Sequence, residues 1–136
     1  MRKRLILLIA VIVMAFSGIA QTIPTKEEFI AACDSLEIYH PYVVYAQARL
    51  ESGNFKSTTY KKKNNCLGIY DSRKKCYATY NNWKECLAAY KNKVQYKWIY
   101  KECSDEEYLN WIISMGYASD TLYKAKVMKI LNNVKK

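Results

Sequence analysis

Glu51 is the residue of this chain best placed to do acid–base chemistry. It lies in Ala46-Gln47-Ala48-Arg49-Leu50-Glu51-Ser52-Gly53-Asn54-Phe55-Lys56-Ser57, which reads as the closing turns of a helix. On a helical wheel Val43, Val44, Ala46, Gln47 and Leu50 share one arc, while Tyr45 and Arg49 point the other way. Glu51 falls at the edge of the mostly apolar arc, stacked over Gln47 one turn earlier, and Gly53 suits the left-handed residue that closes a helix. A carboxyl in a final turn faces the negative end of the helix dipole and here has apolar neighbours. Both effects disfavour its charged form and raise its pKa. The general acid of a glycosidase must still hold a proton near neutral pH, so this environment suits that task.

The other reactive residue types are sparse. His40 is the only histidine. Alone it forms neither a metal cluster nor a triad, and just before Pro41 it reads as a capping or loop residue. The five cysteines, Cys33, Cys66, Cys76, Cys86 and Cys103, include no evident catalytic thiol, because a single histidine leaves little to activate one. No metal site and no cofactor are implied.

Three blocks together resemble the bacterial glucosaminidase family, the peptidoglycan-cleaving endo-β-N-acetylglucosaminidases. Gln47-Ala48-Arg49-Leu50-Glu51-Ser52-Gly53 is similar to that family's Gln-Ala-x-x-Glu-Ser-Gly, which carries its catalytic acid. Asn64-Asn65-Cys66-Leu67-Gly68-Ile69 resembles its Asn-Asn-x-Phe-Gly-Ile segment. Gly116-Tyr117-Ala118-Ser119-Asp120, with Tyr123, resembles its Gly-Tyr-Ala-Thr-Asp-x-x-Tyr segment. The blocks occur in the family's order. The resemblance implies a lysozyme-like architecture, mostly α, with one short β-hairpin beside the active-site groove. It makes Glu51 the acid and Tyr117 a second active-site residue that orients the sugar or the attacking water. Gln47, Asn65, Tyr70 and Tyr123 are the expected substrate-binding residues. The family often carries a second acid on a longer excursion. Here the hairpin offers only Asp71, beside Arg73, Lys74 and Lys75.

The elements that must position these groups can be read from capping and periodicity. Thr25 and Glu28 form a capping box for a first helix running to about Tyr39, with Phe29, Ile30, Cys33 and Leu36 as its apolar stripe. Pro41 suits the first position of the Glu51 helix. Residues 54–63 are polar and lysine-rich, a loop on the rim of a cleft. Leu67 to Tyr70 and Lys75 to Tyr80 read as two strands joined through Asp71-Ser72-Arg73-Lys74. Asn82 begins a helix to about Val94, whose core stripe is Trp83, Leu87, Tyr90 and Val94. Ser104 and Glu107 form a second capping box, for a helix closed by Gly116. Asp120 is expected to cap a last helix from Thr121 to about Val134, with Leu122, Val127, Ile130 and Leu131 inward.

Met1 to Ala20 has a basic start (Arg2, Lys3, Arg4), an apolar run from Leu5 to Phe16, and small residues before Gln21. These are the marks of a secretory signal peptide. The apolar run is short for a membrane span, so residues 21–136 are expected to form one exported domain, periplasmic or extracellular and monomeric. That segment carries 19 Lys and Arg against 12 Asp and Glu. Export and the lack of any recognition motif argue against nucleic acid as partner. The anionic cell wall fits, because basic residues concentrate an enzyme on an acidic polymer. In an oxidising compartment Cys66 and Cys76 could bridge the hairpin and Cys86 and Cys103 two helices, with one cysteine left over.

The reading is an endo-β-N-acetylglucosaminidase cutting β-1,4 bonds in peptidoglycan glycan strands, with Glu51 as general acid. Its rivals are a muramidase or lytic transglycosylase on the same fold, and a catalytically weak wall-binding module.

Overall fold

The computed structural model describes residues 22–99 and 102–136; the leader assignment and the cut before Gln21 lie outside the described residues. Several helices start where a side chain can satisfy the free N–H groups of the first turn. Thr25 and Glu28 bond reciprocally to open α1 (Lys26–Ser35), and Ser104 and Glu107 do the same for α5 (Asp105–Ser114). Asn82 caps α4 (Trp83–Lys93) through Glu85 N–H. Pro41 stands first in α2 (Pro41–Glu51), entered through a left-handed His40. The last helix, α6 (Tyr123–Val134), packs along α2 more extensively than any other pair of elements.

Four expectations need correction. The supposed loop contains a further helix, α3 (Thr58–Lys63), capped by Ser57. Lys61 and Lys62 face water, Lys63 donates to the Tyr77 carbonyl, and the buried Tyr60 anchors the helix to the core. Tyr45 does not point outward. It packs on Phe29 and Phe55, with ring centroids 5.1 and 6.3 Å away, so the middle of α2 is buried on nearly all sides. The last helix begins at Tyr123 instead of Thr121, and Leu122 is exposed. Asp120 still works there, accepting from Leu122 N–H at 2.9 Å in the turn just before α6.

The hairpin is shorter than expected. Strands β1 (Tyr70–Asp71) and β2 (Cys76–Tyr77) pair antiparallel, Tyr70 with Tyr77 and Asp71 with Cys76. Two such strands are marginal by themselves, and side chains hold this pair in place. Asn65, 2% exposed, donates to Ile69 and Ala78 carbonyls (2.8 and 2.9 Å) and accepts from Ile69 N–H at 3.0 Å. Asn64 closes α3 in a left-handed conformation and donates to Tyr80 O. The hairpin is thereby tied to the end of α3 and to the loop carrying Gly68.

The five cysteines are free thiols. The expected pairings do not form: Cys76 sits opposite Asp71, and Cys103 contacts His40 at 3.4 Å. Cys66 instead lies against Cys86, and donating to that sulfur, together with burial, pushes its pKa well up.

Candidate active site

The Glu51 helix ends in a cleft of about 320 Å³ lined by Leu50, Glu51, Gly68, Tyr77, Tyr117, Ala118, Ser119, Asp120, Tyr123 and Lys126. Three parts of the chain meet there: the end of α2, the loop and hairpin that follow α3, and the Gly116–Tyr123 turn leading into α6. Helix α2 ends at Ser52, which donates to Ala48 O and accepts from Phe55 N–H. A left-handed Gly53 then turns the chain away. Glu51 is thus left as the last helical residue, at the floor of the opening.

Glu51 is open to solvent on its cleft side, while protein displaces water from its other sides. That desolvation raises its pKa, and a hydrogen bond from Tyr123 partly opposes the rise. Opposite stands Gly68, left-handed at φ +63°, whose backbone comes so close that a β-carbon there would lie 2.8 Å from Glu51 Oε2. The torsion favours glycine, and a β-carbon there would push the Glu51 carboxyl aside.

The expected site residues divide into groups that face the cleft and groups that stand behind it. Tyr117 lines the cleft, and its hydroxyl donates to the Leu67 carbonyl, next to Gly68. Burial holds that phenol well above its ordinary range. Its proton is committed, and its oxygen can still accept. Tyr123 lines the cleft but is only 3% exposed, wedged between Gln47 and Glu51. Gln47 and Asn65 do not line the cleft: both are buried, with their polar atoms engaged inside the protein.

Asp71 is not in the Glu51 cleft. It lines a neighbouring recess with Tyr70, Ser72, Arg73 and Lys93. There it accepts from the Lys74 and Arg73 N–H groups of its own turn, which hold its carboxyl below the usual range. Tyr70 belongs to the same recess, and its ring meets Tyr77 edge-on at 5.9 Å, so the two tyrosines join recess to cleft. The carboxylate that does share the cleft is Asp120, paired with Lys126 at 2.5 Å and held ionised by that contact.

The site and the elements around it fit one family over their whole length. A family model described as mannosyl-glycoprotein endo-β-N-acetylglucosaminidase matches residues 26–136. The chain belongs to the glucosaminidase family. It is a glycoside hydrolase of the endo-β-N-acetylglucosaminidase type. No curated protein sequence matches it. Among solved structures it is similar to the catalytic domain of the autolysin Auto from Listeria monocytogenes, with TM-score 0.58 and 23% identity over 89% of this chain and 90% of that one. At that identity the likeness supports the fold.

In this glucosaminidase domain Gly68, Tyr77, Asp120 and Lys126 also line the cleft, beyond the residues expected there. Gly68 and Asp120 were inside the matched blocks. Tyr77 carried a signal too, since it stands directly across the strand pair from Tyr70. His40, expected as a capping or loop residue, stands just before α2 at its N-cap position, and its side chain makes no capping bond there. It binds Asp105 at 2.8 Å and Cys103 at 3.4 Å, and its ring stacks on Tyr108. Desolvation and the Glu107 and Asp105 carboxylates hold the Cys103 thiol above its ordinary value, so this trio keeps its sulfur protonated.

Proposed function

We propose that the domain hydrolyses β-1,4 bonds after N-acetylglucosamine in peptidoglycan strands laid across the Glu51 cleft. The observation that carries this reading is the Glu51 carboxyl, raised in pKa and held between Gly68 and Tyr123 at the floor of an open cleft. Glu51 protonates the glycosidic oxygen as the C1–O bond breaks, and its carboxylate then takes the proton of the incoming water. Asp71 lines a separate recess, which favours the substrate's own 2-acetamido oxygen as the group that attacks C1. Tyr117, with its proton given to Leu67, can accept from the acetamido N–H and orient it. Two displacements at C1 retain the anomeric configuration. Tyr77 and Tyr70 offer ring faces for sugars beyond the cleavage point, and Arg73 and Lys93 offer charge to wall carboxylates.

Export by the leader at residues 1–20 would bring the domain to this substrate, and no described helix is long and apolar enough to cross a membrane. The deciding experiment digests purified wall and reads the new ends by mass spectrometry. Reducing N-acetylglucosamine ends support the proposal. Reducing muramic ends indicate a muramidase, anhydro ends a transglycosylase, and binding without new ends a wall-binding module.

A further inference from the structure

The hydrogen bonds behind Glu51 form an unbroken buried series. It begins at the main chain of Tyr39, whose N–H donates to Gln95 Oε1 (2.9 Å) and whose carbonyl accepts from Gln95 Nε2 (2.7 Å). A peptide N–H cannot accept and a carbonyl cannot donate, so these two bonds fix which end of the Gln95 amide is which. The second hydrogen of Nε2 goes to the Tyr108 hydroxyl at 2.8 Å. Tyr108 lies 2.7 Å from the Tyr90 hydroxyl, and Tyr90 lies 2.8 Å from Gln47 Oε1.

Only one arrangement of the two phenol protons satisfies every buried atom. If Tyr90 donated to Tyr108, the Tyr108 proton would lack an acceptor and Gln47 Oε1 would lose its donor. Tyr108 therefore donates to Tyr90, and Tyr90 to Gln47. The Gln47 Nε2 group then faces Tyr123, donating to its hydroxyl at 3.1 Å, and Tyr123 passes its own proton towards Glu51. Gln95, Tyr108, Tyr90, Gln47 and Tyr123 are each at most 3% exposed, so water cannot substitute for a missing partner.

We propose that this series is a positioning relay, in which the Tyr39 peptide, through Gln95, Tyr108, Tyr90 and Gln47, fixes Tyr123 as a permanent donor to the Glu51 carboxyl. The inference rests on the reading of Glu51 as general acid. Its alternative state is specific. With the Tyr90 hydroxyl gone, the Gln47 amide is free to turn its oxygen towards Tyr123. Tyr123 then donates to Gln47, and Glu51 loses its donor. The other polar and charged groups that share the cleft with that carboxyl are Tyr117, Ser119, Asp120 and Lys126, with Tyr77 from the hairpin, and the substitutions below leave all of them in place.

The test follows the Glu51 carboxyl carbon by NMR during pH titration in wild type, Tyr90→Phe and Tyr108→Phe, with Glu51→Gln to assign the signal. Both tyrosine variants should titrate at higher pH than wild type, Tyr90→Phe by more. The alkaline limb of kcat/KM should move the same way. We expect kcat to fall by roughly tenfold with KM little changed, less than the 10²–10³-fold loss of a donor that touches the reacting atoms. A purely structural role would lower the melting temperature and leave the titration where it was. In wild type, without any substitution, the Gln47 amide protons should show NOEs to the Tyr123 ring. NOEs to the Tyr90 ring instead, or folded variants with an unmoved Glu51 titration, would overturn the relay. The titration needs no turnover: a shifted titration in a protein that cleaves no glycan would support the relay and overturn the functional reading alone.

Discussion

The main chain of Gly68 passes so close to the carboxyl of Glu51 that a side chain at residue 68 would displace it. A β-carbon there would stand 2.8 Å from Oε2 and 3.3 Å from Cδ. The carboxyl is the far end of a flexible side chain and would move aside. The hairpin loop therefore limits where the acid can point.

Gly68→Ala should consequently separate stability from activity. An alanine at φ +63° costs about 1–2 kcal/mol, or roughly 4–8 °C in Tm. The displaced carboxyl costs more in rate, about 10²-fold in kcat/KM for a misplacement of about 1 Å. A thermal melt beside a wall-lysis assay measures both. Near-normal lysis in the variant would show that Gly68 does not aim the acid.

Glu51→Gln should remove roughly 10²–10⁴-fold of the lytic rate while the fold persists. The sign of its stability effect is also fixed. Burial raises the Glu51 pKa, so ionising the carboxyl in the folded state is unfavourable. The variant should be as stable as wild type at pH 3, where both are neutral, and more stable at pH 7. Lysis by the wild type should decline as pH rises through the raised value, because the proton to be donated is then gone. Urea unfolding at the two pH values and a pH–rate profile check these outcomes.

Tyr77 and Tyr70 should act on substrate affinity. Tyr77 lines the Glu51 cleft, and Tyr70 lies beside it in the recess. Losing one sugar–ring contact of about 1 kcal/mol corresponds to roughly a fivefold rise in KM with little change in kcat. Tyr77→Ala and Tyr70→Ala on soluble glycan oligomers would show it. A fall confined to kcat would place these rings elsewhere in the reaction.

How far the sequence could be read depended on whether a feature is local. The capping boxes at Thr25/Glu28 and Ser104/Glu107 lie within one turn and were legible, as was the Pro41 to Gly53 frame around Glu51. Helix α3 was not, because only Tyr60 among its six residues is buried and five polar neighbours hide it. The hairpin was overextended because Asn65 supplies side-chain bonds where strand bonds were expected. Tyr90 was legible as a core residue from its helical spacing, but its hydroxyl partners lie 43 and 18 residues away in sequence. The contact of His40 with Cys103 spans 63 residues, and no local pattern announces it.

Asp105 is another long-range junction, with a consequence for acid stability. It is the first residue of α5, and its carboxylate binds His40 Nδ1 at 2.8 Å through Oδ1 and the Lys135 ammonium beyond α6 through Oδ2. Burial acts to raise its pKa, but the Lys135 and His40 contacts outweigh that and hold it below the usual range. A depressed carboxyl pKa contributes stability that is fully present above the unfolded value, near 4, and is lost as pH falls through the folded one. Asp105→Asn keeps the size of the side chain and removes its charge. It should cost about 1.5–3 kcal/mol at pH 7, the range for a hydrogen bond to a charged group. The difference from wild type should shrink as pH falls below 4 and vanish once both side chains are neutral. Urea titrations at pH 7, 4 and 2.5 would follow it, and a deficit unchanged at pH 2.5 would mean that packing, not the charge, is what Asp105 supplies.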